Sequence, residues 1–250
     1  MTPLVVRPEP QSESLCRQLA AAGHQPVTCP LLDFAAGRDI SRLGPKLALC
    51  GPRDYVIAVS VQAVTFADNA LKSQNRPWPD THYIAVGEAT AQAFASIGIR
   101  RVSVPDDPRS EGIIALPELQ QPAGRQVIIL RGDGGRDLIA PTLEAWGARV
   151  RYCEVYRRQY RPDPDGGLVK GWQRQGVDSI IVTSGGLLNH LFQLAATRAK
   201  DWLLSRLLIV PSERVAQAAK TLGFTLVINA EGASNQALLK ALDERKRNDK

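Results

Sequence analysis

The sequence predicts an α/β protein built from two similar, doubly wound parallel-sheet domains. Three observations lead there. First, strand-like apolar runs alternate with helix-period stretches along the chain, which implies parallel sheets covered on both faces. Second, residues 127–158 (VIILRGDGGRDLIAPTLEAWGARVRYCEVYRR) read as strand, glycine-rich turn, amphipathic helix and strand, and residues 4–32 repeat that order. Arg7 aligns with Arg131, Leu15 with Ile139, Leu19 with Leu143, Gly23 with Gly147 and Cys29 with Cys153, each pair 124 positions apart. Third, the offset persists: residues 54–60 match 178–184, and Ser110 matches Ser234. Glu88, Gln92 and Gly98 match Glu213, Gln217 and Gly223 one residue later. An offset held over most of a chain marks two copies of one unit.

The elements follow in order. Residues 4–7 read as a buried strand, 12–22 as a helix and 27–34 as a second strand. Residues 35–39 form a connection around Gly37, and 40–49 a helix ended by Gly51-Pro52. Residues 55–60 are a strand leading into a helix at 61–71, and 73–81 a polar loop. Strands at 83–86 and 102–104 flank a helix at 89–97. The helix at 110–119 is disturbed near Pro117. In the central unit, 127–130 is a strand ending in Arg131. Ile139, Leu143 and Trp146 form the buried stripe of the next helix. Gly147 is its left-handed cap, and 150–156 is a strand. Residues 161–167 (RPDPDGG) are a linker by composition. Helices at 168–175, 186–196, 213–222 and 234–242 then alternate with strands at 179–183, 207–210 and 226–228. The charged last eight residues read as a fraying end.

Each copy is punctuated in its middle, by AAGRD in the first and RPDPDGG in the second. This favours an exchange, in which the first β-α-β of each copy packs with the second part of the other. Residues 1–34 plus 161–250 then form one domain and 39–154 the other, with 35–38 and 155–160 crossing between them. Two thin crossings give little rigidity, so hinge motion is expected.

Composition narrows the function. The hydrophobic share is 44%, with no apolar run long enough to cross a membrane. The sequence goes straight from Met1 into a strand, so no signal peptide is expected. Cys16, Cys29, Cys50 and Cys153 form no CxxC pair, which argues for a reducing, cytoplasmic home without a structural metal. The net charge is +6, of which residues 240–250 supply +2. That suits an anionic ligand, whereas nucleic acid would call for denser basic clusters and more aromatics than 6%.

The turn at residues 131–136 (RGDGGR) misses the dinucleotide fingerprint, because Asp137 stands where the third glycine belongs. Two readings remain: a tight turn exposing amides at a helix N-terminus, suited to anions, or a plain connection. Ser60, Ser110, Ser184 and Ser212 each stand where a strand or loop enters a helix, and capping alone explains any one of them. Collectively they would line a cleft at the carboxyl ends of two facing sheets, suited to a ligand with several carboxylates. His24, His82 and His190 form no motif. Tyr156, beside Arg157 and Arg158, reads either as a packed aromatic or as a phenol at that cleft.

These residues resemble the uroporphyrinogen-III synthase family over nearly the whole chain. The resemblance rests on VVRPEPQSESLCRQLAAAG, SEGIIALPEL, ILRGDGGRDLIAPTLEAWGARVRYCEVYRR, IIVTSGGLL and VPSERVAQAAKTLGF, in the family's order. Val6 departs from the usual threonine, and Gly185-Gly186 replaces a usual Ser-Pro. The resemblance implies two flavodoxin-like α/β domains joined by a two-stranded ladder. It implies a hydro-lyase that needs no cofactor or metal and cyclises hydroxymethylbilane, a linear tetrapyrrole with eight carboxylates. Water leaves, ring D attacks through its substituted carbon to a spiro intermediate, and reclosure leaves ring D inverted in uroporphyrinogen III, on the route to haem. Tyr156 corresponds to the family tyrosine proposed to assist hydroxyl departure, and Ser60, Thr90, Ser184 and Ser212 to cleft contacts. Arg7, Gly87, Ser110, Glu111, Gly112, Arg131 and Gly185 complete the expected substrate-binding set. The expected partner is the small substrate, with neither nucleic acid nor membrane. The chain is expected to be a monomer, with a transient contact to the preceding pathway enzyme left open. The competing reading is a non-catalytic, two-lobed small-anion-binding protein.

Overall fold

A computed structural model describes residues 1–196 and 198–248, with side chains through residue 244. In chain order the strands are β1 (Pro3–Val5), β2 (Val27–Thr28), β3 (Leu32–Ala36), β4 (Tyr55–Ala58), β5 (His82–Ala85), β6 (Val102–Ser103), β7 (Gln126–Gly132), β8 (Arg149–Tyr160), β9 (Ser179–Ile181), β10 (Leu207–Val210) and β11 (Val227–Asn229). The helices are α1 (Gln11–Ala21), α2 (Leu43–Leu47), α3 (Val61–Ser73), α4 (Glu88–Ser96), α5 (Ser110–Ala115), α6 (Ile139–Ala145), α7 (Gly167–Arg174), α8 (Gly185–Ala195), α9 (Lys200–Leu204), α10 (Glu213–Leu222) and α11 (Asn235–Asn248). Short 3-10 turns occupy Ile40–Arg42 and Pro117–Leu119.

The chain divides into two compact units, Met1–Asp33 with Gln159–Lys250, and Phe34–Arg158. The first unit holds a five-stranded sheet ordered β11-β10-β9-β1-β2. Here β1 lies parallel between β2 and β9, with Leu4 opposite Val27 on one side and Ile180 on the other. The second unit is built on a six-stranded sheet ordered β3-β8-β7-β4-β5-β6. In it β4 lies parallel between β5 and β7, with Ile57 opposite Ile84 and Ile129. Each sheet therefore reverses its winding direction at one place, between β1 and β9 in the first and between β4 and β7 in the second. Open parallel sheets bind ligands beyond the carboxyl ends of strands at such a switch point.

The strands of the second sheet are apolar on both sides, as coverage by helices requires. Val56 and Ala58 turn to one face with Phe94 and Leu130, while Tyr55 and Ile57 turn to the other with Ile113 and Leu143. In the first unit Val5, Ile181 and Ile209 pack with Leu15, Leu19 and Leu238 of α1 and α11. Within the second unit the chain after β3 meets β8 closely: Gly37 N donates to Val155 O at 3.0 Å, and Asp39 N to Glu154 O at 3.1 Å. A Cβ at Gly37 would run into the Glu154 carbonyl, so only glycine fits there.

Several expectations need correction. Residues 27–34 are not one strand. Pro30, which has no N–H to give a ladder, separates β2 of the first sheet from β3 of the second. Trp146 does not complete a buried stripe: α6 ends at Ala145, and Trp146 follows as its 37% exposed cap residue. Gly147 does take the left-handed conformation, at φ +87°. The RGDGGR turn does not open a helix. β7 runs on to Gly132, a loop spans residues 133–138, and α6 begins at Ile139 with no side-chain cap. The short helix α9 went unforeseen, and α11 remains helical to Asn248 where fraying was expected. Residues 249 and 250 of that end lie outside the described residues.

Candidate active site

The site grows from the carboxyl ends of β4 and β7. Beyond β4 the chain is extended at Ser60, whose Oγ accepts the Ala63 N–H at 3.2 Å and so caps α3. The same hydroxyl donates to the Tyr156 hydroxyl at 3.1 Å. Tyr156 thus spends an acceptor lone pair on Ser60 and keeps its own proton for another partner.

Tyr156 is 3% exposed and its ring is held on several sides. Phe34 meets it edge-on at 5.6 Å, Phe66 lies 5.9 Å away, and the Arg158 guanidinium sits 5.7 Å from the ring centre. A Cβ on Gly132 would stand 2.6 Å from that ring, so the glycine makes room for the phenol. A bulge aims it. Arg131 pairs with Glu154, but Gly132 pairs with Tyr156, which leaves Val155 as an extra residue in β8. Tyr152 packs with the cluster on one face of the sheet, and Tyr156 joins the cluster on the other.

A cavity of about 330 Å³ opens at this place, with Ser60, Ser110, Tyr152 and Tyr156 in its wall. Four arginines, Arg109, Arg131, Arg136 and Arg158, share that wall. Each is met by a carboxylate of the same unit. Asp107 accepts two bonds of 2.7 Å from Arg109, Asp137 one of 2.6 Å from Arg131, and Glu111 one of 3.3 Å from Arg136. Asp133 lies 3.9 Å from Arg158 and accepts its backbone N–H at 2.9 Å. The hydrogen bonds from Arg109 hold the Asp107 carboxyl below its ordinary pKa. The arrangement suits an anion that presents more than one carboxylate.

Nothing in the wall is a strong nucleophile. Burial pushes the Cys50 thiol up to about 12 and the Cys153 thiol to about 11, so neither is a thiolate at neutral pH. None of the three histidines lines the cavity. His24 meets Asp243 at 2.9 Å, His82 stacks on Tyr55, and His190 meets the Arg161 carbonyl at 2.7 Å. Among the described residues no group of three or more His, Cys, Asp or Glu could hold a metal ion, and no helix is long and apolar enough to cross a membrane.

Of the residues singled out in the sequence, Ser60, Ser110, Arg131 and Tyr156 meet in this one wall. Glu111 stands behind it as the partner of Arg136. Gly87 precedes α4, where a Cβ would come within 3.2 Å of Pro108 in the wall. Thr90 is buried within α4 and does not line the cavity. Gly112 is a packing residue, since the Asp107 carbonyl occupies the place of its Cβ. Arg7, Ser184, Gly185 and Ser212 belong to the other unit. There Arg7 donates to Asn235 Oδ1 at 3.0 Å, Ser184 caps α8 through Leu187 N, Gly185 opens α8, and Ser212 precedes α10 without a side-chain cap bond. Sequence reasoning missed Arg109, Arg136, Arg158 and Tyr152 as wall residues. A cue existed for three of them, because Arg136, Tyr152 and Arg158 flank or repeat the motif that yields Arg131 and Tyr156.

Comparison with known proteins identifies the family to which this fold belongs. A family model described as uroporphyrinogen-III synthase HemD matches residues 13–240. The uroporphyrinogen-III synthase of Salmonella typhimurium strain LT2 is 39% identical over 245 residues, covering 97% of this chain and 100% of the relative. That of Escherichia coli strain K12 is likewise 39% identical with the same coverage. Among solved structures, a mutant uroporphyrinogen III synthase from Thermus thermophilus superposes with a TM-score of 0.63 at 19% identity, over 99% of this chain and 98% of that one. The Helicobacter pylori 26695 enzyme gives 0.61 at 14% identity, over 98% and 99%. The two structures share the fold. The family match and the two 39% relatives go further: this chain belongs to the uroporphyrinogen-III synthase family, enzymes of haem biosynthesis.

Proposed function

We propose that the chain converts hydroxymethylbilane to uroporphyrinogen III by loss of water and inversion of ring D, with no cofactor. The observation that carries this reading is the Tyr156 phenol, 3% exposed, hydrogen-bonded from Ser60 and set in an arginine-lined cavity. Tyr156 donates its proton to the departing hydroxyl as the C–O bond breaks and water leaves. The electron pair of the substrate's own pyrrole nitrogen expels that hydroxyl and forms the azafulvenium cation, so no protein nucleophile is needed. Ring D attacks through its substituted carbon, the spiro intermediate fragments, and reclosure with loss of a proton, which restores the Tyr156 phenol, gives the inverted isomer. The protein's part is mainly positioning.

Ser60, Ser110 and Arg131 are the proposed direct substrate contacts in this unit. Gly87, Thr90, Glu111 and Gly112 support their wall, and Arg7, Ser184, Gly185 and Ser212 act at the strand ends of the other unit. We further read residues 1–34 with 161–250, and residues 39–154, as two flavodoxin-like domains of an internal repeat, exchanged in their first β-α-β. Residues 35–38 and 155–160 are then the ladder between them. The parallel pairing of β1 with β9 supports that reading. A cytoplasmic location fits the free thiols of Cys16, Cys29, Cys50 and Cys153, and we take the chain to act as a monomer.

The test is EDTA-treated protein added to freshly made hydroxymethylbilane, with the products oxidised and the isomers separated. The substrate also closes unaided to isomer I, so the isomer ratio is the readout. A hundredfold excess of isomer III requires about 2.7 kcal/mol of preferential stabilisation of the spiro route. Isomer I alone, formed at the protein-free rate, would sink the synthase reading and advance the anion-binding alternative.

A further inference from the structure

The four wall arginines are not held alike. Arg109 is gripped at two nitrogens by Asp107. Arg131 meets its acid through one bond from Nη1 to Asp137 Oδ1 at 2.6 Å. Its burial is lopsided as well. The Arg131 side chain is 8% exposed, whereas that of Asp137 is 70% exposed. Asp137 is not part of the cavity wall; it sits at the far end of the loop that carries Gly134 and Gly135, both at positive φ.

Charge burial makes the asymmetry consequential. A buried guanidinium cannot be left without an anion except at large cost, whereas an exposed carboxylate that leaves it regains its hydration. The pair therefore exchanges its anion more cheaply than it breaks. Two further features favour an incoming carboxylate. The Arg131 guanidinium lies 4.4 Å over the Tyr152 ring, which fixes its plane at the cavity. The Tyr152 hydroxyl, enclosed and near Asp137 and the Ala140 backbone, meets no partner with hydrogen-bond geometry. Burial raises its pKa, so it is a neutral O–H lying beside the carboxylate that Arg131 holds.

We infer that Arg131 is a carboxylate subsite occupied in the free protein by Asp137, and that a substrate carboxylate takes the place of Asp137 on binding. This rests on the reading of the cavity as the site for a polycarboxylate substrate. Asp137 then acts as an internal competitor. It keeps the guanidinium paired and its plane set, and it weakens ligand binding by the free energy of its own contact. The opposite arrangement, with Asp137 positioning Arg131 for the ligand, predicts the opposite sign.

The experiment is a fluorescence titration with uroporphyrin I, an octacarboxylate probe that needs no turnover. Asp137→Asn should lower its Kd about fivefold, the scale of one largely solvated ion pair of about 1 kcal/mol. Arg131→Gln should raise the Kd, and the double variant should match Arg131→Gln, because without the arginine there is nothing to compete for. Arg131→Lys replaces the Gln variant if thermal unfolding shows that Gln disrupts the unit. An Asp137→Asn variant that binds equally or more weakly overturns the exchange, as does absence of probe binding by every form. Isomer analysis of the wild type is read separately. If it yields isomer I only, the synthase reading falls while the binding series still decides the role of Asp137.

Discussion

The switch points of the two sheets carry the same kinds of residue and do different work with them. In the first unit Arg7 follows β1 and Ser184 follows β9. In the second Arg131 is the penultimate residue of β7 and Ser60 follows β4. Arg7 meets neutral groups, Asn235 and the Ala233 carbonyl, and Ser184 caps α8. Arg131 meets Asp137, and Ser60 both caps α3 and donates to Tyr156. Three substitutions at the 124-residue offset separate the two. Leu32 stands where the other copy has Tyr156, Pro8 where it has Gly132, and Glu13 where it has Asp137. Glu13 pairs with Arg17 of its own helix rather than with Arg7. The scaffold offers a ligand crevice twice, and a phenol, the glycine that admits it and a reachable acid concentrate the chemistry in one of them.

The largest expected effect comes from erasing that difference. Tyr156→Phe leaves the ring packed against Phe34 and Phe66 but removes its proton. Formation of isomer III should fall by about a hundredfold, the lower range for a positioned general acid. Measurable activity should survive, because positioning remains. Wild-type turnover in this variant would end the role assigned to Tyr156.

Next in size is the glycine. At Gly132→Ala the new methyl would stand 2.6 Å from the Tyr156 ring, so ring or strand must move. Overpacking of this kind costs about 1–3 kcal/mol, and turnover should drop with it. Gly134→Ala is the comparison: its Cβ would meet open space, but its φ of +73° disfavours alanine. It should lose only about 1 kcal/mol in urea unfolding. Equal losses of activity in the two variants would show that the loop, not the room for Tyr156, is what matters.

The serines give a finer separation. Ser60→Ala and Ser184→Ala each delete a helix N-cap, at about 1 kcal/mol of stability. Only Ser60→Ala also removes the bond that engages the Tyr156 oxygen, so only it should slow turnover by more than its stability loss explains. A few-fold fall in kcat, with a smaller rise in KM from the lost substrate contact, is the expected signature. If Ser184→Ala proves the slower enzyme, the comparison between the units is inverted.

The architecture was more legible than the site. Alternating strand and helix periods, with the 124-residue offset, are written in side chains whose burial follows from local pattern, as with Leu15 and Leu19 or Ile139 and Leu143. Tyr156 could be named from the resemblance, but what aims it could not. A period of two places residues 152 and 156 on the same face of β8, and the bulge at Val155 puts them on opposite faces. Bulges arise from strand pairing and leave no mark in the sequence of one strand. Likewise Pro30 was visible, yet whether it bends a strand or hands the chain from one sheet to another depends on partners far along the chain. The arginine wall escaped because its members come from β7, β8 and two loops, which no spacing rule links.

The smallest expected effect on turnover tests the comparison in the core. Cys29 and Cys153 share the offset, and burial raises the pKa of both thiols. Their surroundings differ. Trp172 and the Arg161 cation, whose Nη1 lies 3.8 Å from Cys29 Sγ, work against the rise at Cys29; Lys46 and Arg151 do the same at Cys153, but burial outweighs them further there. Cys153 is held at about 11 against an ordinary value of 9.0. At pH 8 both thiols are mostly protonated in both states, so their titration affects stability little. As pH climbs from 9.0 toward 11, the unfolded chain gives up the Cys153 proton while the folded protein keeps it, and stability must fall. The loss attributable to Cys153 should reach about 1–3 kcal/mol near pH 11. Urea midpoints of wild type, Cys29→Ala and Cys153→Ala, measured from pH 8 upward, isolate it. Each alanine carries its own cavity cost at pH 8, so the slopes rather than the absolute values are compared. Cys153→Ala should flatten the alkaline decline clearly and Cys29→Ala only slightly. Parallel declines in all three proteins would mean that the two thiols are equivalent, and that the distinction between the units stops at the cavity wall.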